Sequence, residues 1–459
     1  MRSVFKKQHH FLKANSPTQI ILSFAFLGFV FQILLGLYDT RYWPLSGDEW
    51  FYFECAKDIN RLFSAIIAGD HAQTKVYIDA IVADGWFMPG MPLLLQPTVL
   101  LDMDLPQTRL YMILVNFTLT LVIALRLQKL LPAAVAQLWL VIMLLFPAVT
   151  FFSPTLWGES MGGKLYLLLL IELYLALERS GTKWNPLLPV VTGFSLGFII
   201  YIRPNFIILS PLLVCGVFYH QLRLQRFAQA CVHAVRFGLI AALTTCIILL
   251  PWQLALHQKF GAFFLTTTSL DLNTIIAYTD KSYESQLPGE TTQSAFTRTH
   301  TLISTDIEAR AKRSGETYGA TLREQRNETL GNLTLARYMD VTRHSLLDFF
   351  CKENMFLYRF EKFPGSLAIK SFLYPVLLKL NTLLWYILLA STLVLFFRSL
   401  RAPIAQWLST ALKLSLALLW VQPFMMLSNG RYYVAFIPLM ALLVSLYAGY
   451  YYEQRQSSG

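Results

Sequence analysis

The sequence predicts an all-α polytopic membrane protein, and three observations carry that expectation. Hydrophobic residues make up 55% of the 459 and charged residues only 14%, with a mean hydropathy of +0.48. The charges are segregated between uncharged apolar runs, where a soluble core of this size would interleave them. Basic residues gather in the short links between alternate runs, the asymmetry expected of loops held on the cytoplasmic side. That placement, with no basic stripe interleaved with aromatics, argues against nucleic acid as the partner of a chain whose net charge is +11.

The first run, residues 17–38, is uncharged throughout. At ~1.5 Å per residue it is enough for about one bilayer crossing. It is too long for the apolar part of a cleaved signal peptide and lacks a small-x-small cleavage site, so it reads as a retained anchor. Further candidate spans follow at 110–125, 133–152, 160–178, 186–202, 204–220, 237–256, 374–397, 404–427 and 432–451, about ten in all. The apolar stretch "WFMPGMPLLLQPTVLL" from Trp86 is set apart by Pro89, Pro92 and Pro97. Their missing backbone donors are costly in lipid, so the stretch reads as interfacial helix.

Ten spans place every basic link on one side: 1–16, Arg126 with Lys129, Arg179 with Lys183, the stretch ending at Arg236, Arg398 with Arg401, and the tail with Arg455. A crossing at 86–104 would move each later link to the other side. The expectation is therefore one integral-membrane domain, 1–459, with both termini cytoplasmic. Two long extracytoplasmic segments result, 39–109 and 257–373, and the chain stops just after its last span. In the second segment Ser304 or Thr305 is expected to cap a helix, with Gly315, Gly319 and Gly331 interrupting the helical pattern. Five scattered cysteines without a CxxC pair argue against a disulfide framework or a zinc site, leaving one Cys55–Cys351 bridge open.

On this topology charges of both signs gather at the outer ends. Asp48 and Glu49 stand in "SGDEWFYFECAKDI", Glu159 and Lys164 in "SPTLWGESMGGKLY", Arg203 in "IIYIRPNF", and Arg431 with Tyr432 in "LSNGRYYVAFIPL". Each has a plain structural reading. Ser46 and Glu49 fit a capping box, and Asp48 suits the positive end of a helix. Arg203 and Arg431 fit headgroup anchors, and Glu159 with Lys164 fits a local ion pair. Together on one side of a membrane they favour a functional site. Glu172 and Lys413, inside spans, are expected to pair within the bundle.

No phosphate-cradling GxxxxGK[ST] and no HExxH occurs, which argues against a nucleotide-driven pump and a zinc peptidase. The GxSxG pattern at residues 193–197 ("GFSLG") lies inside the apolar run 186–202 rather than at the strand-to-helix turn that a serine hydrolase needs. A carboxylate with two or three cations, facing away from cytoplasmic nucleotides, suits group transfer from a lipid-carried phosphate donor. A transporter or flippase of a lipid-linked or anionic substrate, and a sugar-polymer ligase using a lipid-pyrophosphate donor, are the alternatives. A transporter more naturally places charges near the midplane and shows repeats, and none is visible.

These segments resemble the GT-C superfamily of membrane glycosyltransferases, in the branch of protein O-mannosyltransferases and bacterial aminoarabinose transferases. "GDEWFYFECAKDI" is similar to the acidic motif of its first outer loop, "MPGMPLLL" to its Pro-Gly-x-Pro-Leu segment, and "SPTLWGES" to its Glu-bearing helix start. "GFSLGFIIYIRPNFIILSPLL" is similar to its Arg-Pro hairpin, and "GRYYVAFIPLM" to its Arg-Tyr last span. The resemblance implies a GT-C-like fold and inverting transfer from a polyprenyl-phosphate sugar to a hydroxyl of a protein, lipid A or another glycan. It implies Asp48 as general base, Glu49 as a positioning neighbour, and Arg203 and Arg431 with Tyr432 as phosphate or sugar contacts. The sequence departs at "WFM" before the Pro-Gly and at Ala255 and Leu256, where Arg-Asn is common, so Lys259 is the substitute expected near the donor phosphate. No cofactor is expected. Asp48, Glu49 and Glu159 leave a divalent cation open, although their spacing requires none and the resemblance argues against it. A bacterial inner membrane, with membrane lipids around the chain and the site in the periplasm, is the implied setting.

Overall fold

The computed structural model describes residues 17–42, 45, 48–279, 292–350, 367–425 and 430–457. Ser46, the expected cap, and Cys351 lie outside them, as do the side chains of Arg431 and Tyr432. Among the described residues every regular element is a helix or a 3-10 turn.

Six helices are long and apolar enough to cross a membrane: Leu105–Leu130, Glu159–Ser180, Pro204–Leu222, Phe227–Phe260, Pro375–Phe396 and Tyr433–Arg455. Four shorter apolar helices, Gln19–Leu34, Ala133–Leu145, Leu187–Ile202 and Pro403–Leu419, fall on the other expected spans. The chain is a multi-pass helical membrane protein.

The boundaries moved for identifiable reasons. The run 133–152 breaks after Leu145, with Phe146 extended at φ −79° and ψ 110°, and restarts as Pro147–Phe152. Pro147 forces this by disfavouring helical backbone at the residue before it. The run beginning at 204 opens as a 3-10 turn, Pro204–Leu209, before Ser210–Leu222 continues it. The Pro-rich stretch after Trp86 forms two one-turn helices, Gly90–Leu94 and Gln96–Leu100, each too short to cross. Ser304 and Thr305 do not cap a helix. They lie inside Thr292–Ser314, which continues unbroken until Gly315 at φ +75°. The next helix, Tyr318–Gly331, is capped instead by Thr317, whose side chain accepts from the Ala320 N–H.

At the centre, the Glu159–Ser180 helix packs against Leu105–Leu130, Leu187–Ile202 and the last helix, Ile437–Ser457. Several polar groups inside are paired across elements, as suits a lipid-embedded bundle. Trp139 Nε1 donates to the Pro438 carbonyl at 3.0 Å, Trp407 Nε1 to the Gly216 carbonyl at 3.0 Å, and the Tyr166 and Ser415 hydroxyls are 3.0 Å apart. At one end of the bundle the helix Asp48–Ala68 packs on His71–Val82, which in turn meets Phe227–Phe260, and the loop after Val82 touches the later segment through Trp86 and His300. That loop-rich end holds the charged residues.

Candidate active site

Asp48 and Glu49 occupy the first turn of the helix Asp48–Ala68, where carboxylates favour the N-terminal dipole. Asp48 is half-buried and Glu49 fully buried. Glu49 reaches across to two other elements. Its Oε2 lies 3.5 Å from Arg109 Nη2, and its Oε1 accepts the Leu156 N–H at 3.1 Å, just ahead of the Glu159 helix.

Glu159 opens its helix and pairs with Arg203, Oε1 to Nη2, at 3.1 Å. Glycines bring the hairpin this close. A Cβ on Gly158 would meet the Ile202 carbonyl oxygen at 2.9 Å, and one on Gly162 would meet Arg203 Cγ at 2.9 Å. Gly90, in the Pro-rich stretch, lies directly on the Tyr201–Ile202 backbone, and Gly163 on the Ala435 carbonyl of the turn Gly430–Ala435. Gln96 Nε2 then ties the Pro-rich stretch to the Ala56 carbonyl of the Asp48 helix at 2.9 Å. All five sequence segments thus converge at one end of the bundle, and the turn bearing Arg431 and Tyr432 belongs to that contact.

Lys164 is buried with Glu159 on the same helix but does not pair with it. Its Nζ donates to Asn116 Oδ1 at 3.0 Å, and Asn116 Nδ2 donates to the carbonyls of Met112 at 3.2 Å and Ser153 at 3.1 Å. Ser153 Oγ continues the line to Gln32 Oε1 at 3.3 Å. Among the described residues no carboxylate pairs with Lys164, whose amine is held by the Asn116 side chain.

Lys259 stands apart, its Nζ donating to the Asp79 carbonyl at 2.7 Å. Glu172 and Lys413 find partners elsewhere in the bundle, Glu172 in Arg126 at 2.6 Å and Lys413 in the Tyr447 hydroxyl at 2.9 Å. Cys55 is a free, buried thiol, pushed up to about 12 by burial and then by nearby Asp58. Among the described residues no group of three or more His, Cys, Asp or Glu is placed to hold a metal.

Sequence reasoning missed Arg109 and Asn116. The signal was there: Arg109, Asn116 and Thr120 are spaced by seven and four, a single helical face, and all three are buried. Chemically, this end of the bundle offers one partly accessible carboxylate, Asp48, and a buried amine, Lys164. Comparison with family models, curated proteins and solved structures finds no match to this chain.

Proposed function

We propose that this chain is an inverting glycosyltransferase of the membrane, with a GT-C-like arrangement of about ten spans, taking a sugar from a polyprenyl-phosphate donor. The observation that supports the reading is that the helix turn bearing Asp48 and Glu49 reaches, through Glu49, the segment that opens the Glu159 helix, where Glu159 pairs with Arg203. In this reading that end faces the periplasm of a bacterial inner membrane, where nucleotide sugars are absent and a lipid carries the donor.

Asp48 takes the proton from the acceptor hydroxyl, whose oxygen attacks the anomeric carbon opposite the phosphate. The bond from that carbon to the phosphate oxygen breaks with its electron pair, and polyprenyl monophosphate leaves. Positive charge at Lys164 and at the Arg203 end of its pair stabilises the growing negative charge on that oxygen. A single displacement inverts the anomeric centre.

The test is release of polyprenyl phosphate by purified protein in lipid, given a panel of polyprenyl-phosphate sugars and an acceptor extract. Release by wild type and its loss in Asp48→Asn is the expected result. No release from any donor, with labelled lipid instead crossing the bilayer, would replace the reading with a transporter. Release of a pyrophosphate would point to a polymer ligase.

A further inference from the structure

The turn after the helix His71–Val82 is strained. Ala83 has φ +45° and ψ −118°, and Gly85 has φ +70°. A residue with a Cβ seldom adopts such a conformation unless its surroundings enforce it. Here they do: Thr268 donates from Oγ1 to the Asp84 carbonyl at 2.8 Å and from its N–H to the Gly85 carbonyl at 3.0 Å. A Cβ on Gly85 would meet Phe260 and Thr268 at 2.8 Å. Two segments distant in sequence are thereby locked around a bent backbone.

The bend displays three side chains. Asp84 is exposed, one oxygen accepting the Trp86 N–H at 3.0 Å. The half-buried Trp86 ring meets His300, from the helix Thr292–Ser314, edge-on with centroids 4.7 Å apart and planes at 88°. His300 Nε2 is buried and has no hydrogen-bond partner. Leaving a buried ring nitrogen unmatched is unfavourable, and a ligand hydroxyl would relieve it. Phe87, the next residue, lies against Phe51 and Tyr52 at 4.8 and 5.4 Å, one turn into the helix that Asp48 opens.

We propose that Asp84, Trp86 and His300, on the turn after His71–Val82 and the helix packed against it, form a binding subsite for a neutral pyranose ring, distinct from the Glu159–Arg203 cluster. As the place of a carbohydrate acceptor it rests on the glycosyltransferase reading. The residue chemistry selects the ligand class. An indole offers an apolar surface to ring C–H groups, a carboxylate accepts from hydroxyls, and an imidazole nitrogen serves as donor or acceptor. Asp84 repels phosphates and other anions. Its exposed charge beside Trp86 is no place for an acyl chain, and one carboxylate with one imidazole is too few for a closed metal site.

The test uses the full chain in lipid nanodiscs, without donor lipid, at about pH 8, where a histidine is neutral. Saturation-transfer NMR is recorded with methyl glucoside, galactoside, mannoside and arabinoside, and with tetramethylammonium as a cationic probe. The expected result is saturation transfer to the ring protons of at least one glycoside. Affinity should fall about three- to tenfold in His300→Ala and in Asp84→Asn, the loss of one hydrogen bond each. Asp84→Asn keeps the acceptor that holds the turn, so it separates binding from folding. No transfer to any glycoside, equal affinity in wild type and both variants, or binding of tetramethylammonium alone would overturn the subsite. Because no donor is present, these outcomes do not depend on polyprenyl-phosphate release, whose failure would remove the acceptor role and leave the binding result standing.

Discussion

Glu49 and Arg109, sixty residues apart, are both fully buried and face each other at 3.5 Å across the junction of the Asp48 and Leu105 helices. Two charges withdrawn from water are held there by their mutual attraction and by the Leu156 N–H on Glu49. Breaking such a pair from one side leaves an uncompensated buried charge, which costs about 3–5 kcal/mol. Glu49→Gln and Arg109→Met should therefore each lower the thermal unfolding midpoint of the purified protein sharply. The double variant, which buries no charge at this spot, should recover most of the loss. Additive losses in the double variant would show that the two side chains do not act as a pair.

Glycine is required where helix backbones touch. A Cβ on Gly163 would overlap the Ala435 carbonyl oxygen, and a Cβ on Gly90 would overlap the Tyr201 carbonyl group. Neither neighbour is a flexible side chain that can swing aside. Gly163→Ala and Gly90→Ala are expected to destabilise by about 1–3 kcal/mol, as overpacking does, read as a lowered thermal unfolding midpoint. Gly331→Ala is the control: nothing lies within 4 Å of its Cβ position, and the substitution should be neutral or stabilising by about 0.4–1 kcal/mol. Equal effects at the three positions would argue against close backbone contact as the cause.

Much of this architecture was legible because membrane helices announce themselves by composition, and the helix Phe227–Phe260 fell where an uncharged run predicted one. The gathering of Glu159 and Arg203 was legible too, as charges placed at span ends on one side. Their pairing was not. Glu159 and Lys164 are five residues apart, a separation that turns them away from each other on a helix, whereas side chains three or four apart face one another. Their partners, Arg203 and Asn116, come from other helices. Arg109 stayed hidden because a charge just ahead of an apolar run has the pattern of a headgroup anchor. Lys259 donates a hydrogen bond to a backbone carbonyl, a partner that no residue pattern records.

In the glycosyltransferase reading, Lys164 sets stability against function. Its amine makes one hydrogen bond, to Asn116, in a site sealed from solvent, and among the described residues no carboxylate balances it. A charge in such a place is unfavourable for folding. Lys164→Met keeps the length and removes the charge, so stability should rise by about 0.5–2 kcal/mol while polyprenyl-phosphate release falls. Both are read on one preparation, by thermal unfolding and by product assay. A Met variant that loses stability and keeps full release would make Lys164 a packing residue only.

The contact between Trp86 and His300 should weaken in acid. Burial holds the His300 imidazole below its ordinary value of 6.5, with the carboxylate of Asp84 opposing that shift. Tyr318, which also feels Asp84 and Glu308, is pushed up to about 12 by burial and stays protonated throughout this range. Because the closed junction disfavours the imidazolium, an opened state binds the proton more readily. The histidine's contribution is then fully present above about pH 6.5 and is lost as pH falls through the lowered value. Hydrogen exchange over residues 79–87, corrected for the intrinsic pH dependence, should show protection near pH 8 that declines toward pH 5. In His300→Gln, which cannot titrate, that decline should flatten. An equally steep decline in the variant would assign the acid sensitivity to another group.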